Sequence, residues 1–405
     1  MQKSFAGQHG PKVRSDCYFE IEETNSGGIK IELKSKVEVM YGNSIKSMIS
    51  EMCKYFNLKN ANIICEDSGA LPFTISARFE SAIKRLKPEI TLEYLLPMNK
   101  NNLTSTTKDR LRRSRLYLPG NEPKFYPNAG LHSPDSIILD LEDSVAPAEK
   151  DNAQLIVRNA LRSINFYGAE RMVRINQLPK GLEDLKFVIP HNVNVILIPK
   201  CESKEQVLET EELVSELKSM HKISNKIYFM PIIESALGVE KSFEIAMASQ
   251  NNCALAVGLE DYTADIGTQR SAEGTESFYA RSQIINAAKA AKIQAIDTVF
   301  SDINDMDGLR RSILEAKQLG FEGKGCIHPR QIKVINETFL PEAKEIDKAK
   351  KIVLAFDEAK QKGLGVVALG SKMIDAPIVK RAEKTIKLAV ENNLLDKNWK
   401  SNEIN

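Results

Sequence analysis

Charged side chains recur at the ends of short apolar runs in this chain of 405 residues. Asp140, Glu142 and Asp143 close or follow the run Ser136–Leu141, and Arg174 and Asn176 do the same for Met172–Ile175. Lys200 follows Val195–Pro199, Glu234 follows Ile227–Ile233, and Ala254–Val257 leads into Gly258-Leu259-Glu260-Asp261. Asp297 lies in Ala295–Thr298, and Gly325-Cys326-Ile327 runs into His328-Pro329. Five or six carboxylates gathered at one place repel each other unless a cation neutralises them. With no cysteine cluster and only 5 histidines, the fitting cation is a hard divalent ion held by oxygen, Mg2+ or Mn2+. Such an ion takes one or two carboxylates and leaves its other positions to substrate and water. Arg174 among the acids asks for a negative substrate, since a guanidinium can clamp a carboxylate and steady a developing oxyanion. A metal beside an arginine suits a 2-oxo acid, with the ion as Lewis acid for making or breaking the adjacent carbon–carbon bond.

These residues need a scaffold that brings strand ends together. Eight short apolar strands alternate with helical segments such as Lys204–Met220 and Phe278–Ala291 across about 230 residues, which favours a (β/α)8 TIM barrel over an open doubly wound sheet. In a barrel the C-terminal strand ends share one mouth, so every charged residue named above is placed there. Glu260 and Asp265 read as helix-cap or outer acids, and His328 as a structural hydrogen-bonding group.

The barrel does not account for the whole chain. Tyr18, Phe19 and Ile21 begin a strand, Asn25-Ser26-Gly27-Gly28 turn, and Ile29–Leu33 alternates with period two. Ile45, Met48, Ile49, Met52 and Phe56 recur at helical spacing, Ile63-Ile64-Cys65 and Phe73-Thr74-Ile75 supply two more strands, and a second helix follows. The division expected is a small α/β domain over 1–97, a polar linker over 98–110, the barrel over 111–350, and a C-terminal lid and helix over 351–405, with a strand at Val366–Leu369 and a turn at Gly370-Ser371-Lys372.

Composition removes other classes. Lys+Arg 56 against Asp+Glu 54 leaves a formal charge of +2, which argues against a nucleic-acid binder. No run of about 18 apolar residues is present, so no membrane span is expected. The N-terminus lacks a secretory stretch and the 6 scattered cysteines lack CxxC pairing, which points to a reduced, cytoplasmic chain.

Seven ordered segments resemble the citrate lyase beta chain of the metal-dependent aldolase and acyl-CoA lyase superfamily. They are Arg113–Gly120, Ile137–Val145 with Glu149-Lys150, Val173-Arg174-Ile175-Asn176, Pro231–Ala236, Gly258–Gly267, Ile327–Ile332 and Gly370–Pro377. The resemblance implies Glu234 and Asp261 as metal ligands, Arg174 as the clamp on the substrate carboxylate, and Glu142 and Asp143 as holders of water and substrate. It implies Asp375, on the lid, as an acid that completes a neighbouring subunit's site, and hence a homo-oligomer, commonly a trimer. The first domain resembles the citrate lyase acyl carrier (gamma) chain through Gly28–Leu33, Tyr41-Gly42, Asp67–Leu71 and Ser76–Glu80. That family carries a phosphoribosyl dephospho-CoA arm on a serine; here the segment reads Val13-Arg14-Ser15-Asp16, with Arg14 where the carrier serine falls. Either Ser15 carries the arm or the domain has lost it.

The function implied is Mg2+-dependent cleavage of a citryl thioester, on a carrier or on CoA, to oxaloacetate and an acetyl thioester, in company with a citrate lyase alpha chain. The alternatives are a free-standing lyase of the malyl-CoA or citramalyl-CoA type with a degenerate carrier domain, and a non-catalytic scaffold.

Overall fold

The computed structural model describes residues 2–271, 273–361, 363, 366–369 and 372–404. It divides into two compact units, Met1–Ile335 and Asn336–Asn405.

The first unit opens with a four-stranded sheet made by β1 (Lys3–Gly7), β2 (Cys17–Glu23), β3 (Ile29–Ser35) and β4 (Ala61–Asp67), in the order β1-β2-β4-β3. The pairings β1/β2 and β2/β4 are antiparallel, and β3/β4 is parallel, with α1 (Glu38–Tyr55) as the crossover. Alternation in β2 sends Cys17, Phe19 and Ile21 inward, where they meet Ile45, Ile49 and Met52 of α1. Phe73-Thr74-Ile75 is not a strand. It lies in α2 (Pro72–Leu86), which Pro72 opens at a position where a missing N–H costs nothing. This helix is buried on nearly every side, so the window around Phe73 has no polar face and mimics a buried strand.

The expected barrel follows, with eight parallel strands closing on themselves. They are β5 (Ser114–Pro119), β6 (Ser136–Asp140), β7 (Glu170–Arg174), β8 (Val195–Ile198), β9 (Tyr228–Ile233), β10 (Ala254–Val257), β11 (Gln294–Asp297) and β12 (Gly323–Cys326). Ile138, Met172, Leu197, Met230 and Ala256 fill the interior.

Residues 98–110 join the two parts but are not a solvated tether. Asn102 is fully buried and its amide donates to Leu161 O and Ile164 O at 3.0 and 2.6 Å. Thr104 O accepts from Arg171 Nη2 at 2.8 Å, and Thr106 bonds Glu170, which is itself locked to the buried Arg112. Polar composition hides this segment because its packing uses hydrogen bonds rather than apolar area.

The N-terminal domain is docked on its own barrel by α2, which packs along α3 (Lys150–Ser163). Arg158 of α3 forms a bidentate pair with Glu80 at 2.9 and 2.7 Å, both side chains fully buried. Asn159 donates to Ser76 Oγ at 2.9 Å, and the rings of Phe73 and Tyr126 stack with centroids 6.1 Å apart.

Nearby, His191 is buried with Nδ1 3.0 Å from Arg162 Nη1, and Nε2 has no partner among the described residues. Burial, reinforced by the charges of Arg158 and Arg162, pushes its pKa down to about 3 from 6.5. The folded protein therefore holds it neutral, while the unfolded chain takes up a proton below about pH 6.5. Stability present above that pH drains away as pH falls towards about 3. A His191→Gln variant is expected to show a flatter loss of Tm with acidification over that window in thermal melts, and an unchanged slope would contradict the assignment.

The second unit pairs helices Ala343–Gln361 and Ala376–Glu391 around Ile346, Ile352, Val379, Ile386 and Trp399, with an antiparallel pair, β13 (Val367–Leu369) and β14 (Lys372–Ile374). The turn read at Gly370-Ser371 lies outside the described residues. Among the described residues no helix is long and apolar enough to cross a membrane. All six cysteines are buried and unbridged.

Candidate active site

Sheet register does the first positioning. Asp140 and Arg174 are direct cross-strand partners at the C-terminal ends of β6 and β7. Arg174 Nε and Nη2 take both oxygens of Asp140 at 2.7 and 2.8 Å. Its Nη1 lies 2.7 Å from Glu142 Oε2, outside hydrogen-bonding alignment, and 3.4 Å from Asp143 Oδ2. The Tyr117 ring lies 5.4 Å below the guanidinium. Burial alone would raise the Asp140 carboxyl, but the hydrogen bonds and charge of Arg174 outweigh it and hold Asp140 below the usual range. One edge of the expected clamp is thus committed to Asp140, and the Nη1 side is what faces the remaining acids.

Lys200 is the second organiser. It stands two residues beyond β8 with φ 47°, a left-handed backbone that an L side chain adopts at a cost. Its N–H donates to Glu234 Oε1 at 2.8 Å. Its ammonium sits 3.0 Å from Glu142 Oε1, 3.3 Å from Asp143 Oδ1 and 3.8 Å from Asp261 Oδ1. Glu142, Asp143, Glu234 and Asp261, drawn from three different strand ends, therefore all meet at one lysine. Burial and the neighbouring charges of Glu142 and Asp261 push the Glu234 carboxyl up to about 8, against the pull of the Lys200 N–H. Gly258 leaves room for this carboxylate, since a Cβ there would collide with Glu234 Oε2.

The donor set fits a hard cation. Glu234 and Asp261 offer oxygen only, and the buried carboxylate of Glu234 is one whose charge burial penalises. Among the described residues no group of three or more His, Cys, Asp or Glu is placed to hold a metal.

Other expected members lie elsewhere. Asp297 does not join the mouth: it is fully buried against Lys324 Nζ at 2.6 Å and Arg281 Nη2 at 3.3 Å. Glu260 pairs with Arg270, Asp265 accepts from the Ala236 N–H, and His328 Nδ1 accepts from the Arg330 N–H. Asp375 belongs to the second unit, where it caps the helix Ala376–Glu391 by accepting from Ile378 N–H at 3.3 Å. Ser15 is half-buried in a turn with φ 54°, its N–H donating to Ser68 O at 3.0 Å. The roles of Asp140 and Lys200 went unassigned from sequence, although both stand at strand ends among acids; what was missing was which acid each would pair with.

A substitution separates the two contributions of Lys200. Lys200→Gly should relax the left-handed backbone, which offsets part of the stability lost when the acids of the mouth lose their cation. It should also cut turnover by about a hundredfold, because three carboxylates lose their shared cation. Retained activity in that variant would show the ammonium to be idle.

A closed parallel barrel whose mouth gathers carboxylates around one arginine and one lysine defines a TIM-barrel enzyme with an acidic active-site mouth. Residues 113–329 match the family described as HpcH/HpaI aldolase/citrate lyase, and the chain belongs to that family and is a lyase. Residues 6–86 match the acyl-carrier family described as malonate decarboxylase delta subunit. Citrate lyase subunit beta of Leuconostoc mesenteroides subsp. cremoris is 42% identical over 291 residues, covering 71% of this chain and 96% of that protein. Human mitochondrial citramalyl-CoA lyase is 33% identical over 327 residues, 78% of this chain and 96% of that protein. Among solved structures, protein CitE of Mycobacterium tuberculosis in complex with magnesium, acetoacetate and coenzyme A matches with TM-score 0.57 and 27% identity, covering 70% of this chain and 99% of that one.

Proposed function

We propose that this chain cleaves a citryl thioester to oxaloacetate and an acetyl thioester, as a fused carrier-and-lyase component of citrate lyase. The observation that carries the reading is the buried Glu234 carboxylate held beside Asp261 and Lys200, within a mouth that also presents Arg174. Glu234 and Asp261 would hold Mg2+ or Mn2+, which when bound supplies a Lewis acid for the keto and carboxylate oxygens. Arg174, steadied by Asp140, turns Nη1 to the substrate carboxylate and to the charge that grows on the former hydroxyl oxygen. Glu142 and Asp143 orient water and substrate through Lys200. The hydroxyl gives up its proton to water held by Glu142 and Asp143, the adjacent carbon–carbon bond breaks with its electron pair passing to the acetyl carbon, and the acetyl thioester leaves as an enolate. Asp375 of a neighbouring chain returns a proton to its carbon, which makes the protein a homo-oligomer, as a trimer.

The acyl group rides on a phosphoribosyl dephospho-CoA arm at Ser15, loaded by a citrate lyase alpha chain. A second reading, with the thioester on free CoA and the substrate of the citramalyl-CoA type, has its own support: Ser15 serves the turn with φ 54°, and Arg14 occupies the carrier position. The buried, unbridged cysteines fit a reducing compartment such as the cytoplasm. Purified protein with Mg2+ and citryl-CoA should release oxaloacetate, and absence of release sinks the reading. Intact mass from a host able to attach the arm separates the two acyl forms, since added mass at Ser15 supports the tether and an unmodified chain supports free CoA.

A further inference from the structure

One contact between the N-terminal domain and the barrel continues to the substrate-facing arginine. Arg78 of α2 is fully buried. Its Nε and Nη2 take Asp16 Oδ1 and Oδ2 at 3.0 and 2.7 Å. From the same guanidinium, Nη1 crosses to Asn121 Oδ1 at 2.6 Å and Nη2 to Asn121 O at 3.3 Å. Asn121 follows Gly120 on the loop that leaves β5. Gly120 N–H donates to Asp140 O at 2.8 Å, and a Cβ at Gly120 would collide with that same carbonyl, so this loop is seated on the end of β6. Asp140 in turn grips Arg174. Asp16, Arg78, Asn121, Gly120, Asp140 and Arg174 form one unbroken chain of contacts. Two further docking contacts, Arg158–Glu80 and Arg85–Asp151, lie outside this chain of contacts, whereas Gln8 reaches Glu122 and Phe73 stacks on Tyr126 of the same β5 loop without bonding the Asp140 end.

We propose that the N-terminal domain is a fixed positioning element for its own barrel: Arg78 holds the β5 loop through Asn121 and thereby sets the aim of Arg174. The inference rests on the lyase reading and deepens it. Arg78 touches no reacting atom and is a positioning residue. A guanidinium offers its donors in one rigid plane, so fixing one edge on Asp16 fixes where the other edge reaches. Asp16, Arg78 and Asn121 are all buried, so water is poorly placed to substitute for a lost bond. A lysine at 78 keeps the charge opposite Asp16 but cannot serve both edges. The domain then contributes to turnover of a free thioester as well as a tethered one.

The test is steady-state release of oxaloacetate from free citryl-CoA with Mg2+, using the full chain. Asn121→Ala is expected to raise KM roughly tenfold with kcat within about twofold, measured well below a Tm that falls modestly because Arg78 Nη1 loses its buried acceptor. Arg78→Lys should act in the same direction, and the double variant should be no worse than the worse single, because the two residues act in series. Arg85→Lys, on the interface but outside the chain of contacts, should match wild type. Wild-type KM in folded Asn121→Ala overturns the inference. So does a KM change that appears only within a few degrees of the variant's Tm, or a double variant whose losses multiply. Should Arg78→Lys fail to fold, Asn121→Ala decides alone, since it leaves the Arg78–Asp16 pair intact. A wild-type chain inert towards citryl-CoA sinks the lyase reading and the inference with it, whereas a working wild type with unaffected variants sinks the inference alone.

Discussion

Glu234→Gln is expected to lower the rate of oxaloacetate release by about a thousandfold while leaving the barrel folded. The amide keeps the shape, and its oxygen can still accept the Lys200 N–H, but it removes the negative charge that a divalent ion needs. Because burial and two neighbouring carboxylates already penalise the charged form of Glu234, the neutral variant should be at least as stable as wild type without metal. Magnesium should then raise the Tm of wild type and not of the variant. Gly258→Ala is the companion test. Its new methyl would displace the Glu234 carboxylate without altering any charge, so turnover should fall by about a hundredfold with little loss of stability. Full activity in either variant, measured with saturating Mg2+, would contradict the assignment of Glu234.

The second large effect concerns stability. Arg158→Ala removes a fully buried guanidinium and leaves Glu80, also fully buried, with Lys84 and the Tyr94 N–H as its partners among the described residues. Breaking one side of such a pair costs about 3 kcal/mol or more, since the remaining charge stays desolvated. The loss should appear in denaturant unfolding as a lower midpoint, and proteolysis within α2 should accelerate. Replacing both partners, Arg158→Met with Glu80→Leu, should recover much of the stability, because an apolar pair of similar volume carries no desolvation penalty. If Arg158→Ala melted with wild type, the docking of the N-terminal domain on α3 would not be a stabilising interface.

The barrel was legible in the sequence because its strands are short, apolar and separated by amphipathic helices, a pattern that survives without knowledge of contacts. The gathering of Glu142, Asp143, Glu234 and Asp261 was legible for the same reason, as each stands just past a strand end. Asp297 stands at such an end too, yet it is neutralised by Lys324 and Arg281, and only the three-dimensional pairing distinguishes it. The sequence marks Arg174 as a carboxylate clamp among acids, but that one edge of its guanidinium is held by Asp140 depends on a strand register that no local pattern encodes. The misreading of Phe73-Thr74-Ile75 has a related cause. Helix α2 hides one face in its own domain and the other against α3, so the polar stripe that betrays a surface helix is missing. The segment 98–110 hid its packing behind polar side chains whose hydrogen bonds are tertiary.

The account stands most directly on where a divalent ion binds. Anomalous diffraction from crystals soaked in Mn2+ and oxaloacetate should place one ion per chain against the carboxylates of Glu234 and Asp261, with the 2-oxo acid between the ion and Arg174. An ion elsewhere, or oxaloacetate bound with those two acids turned away from it, would contradict the account.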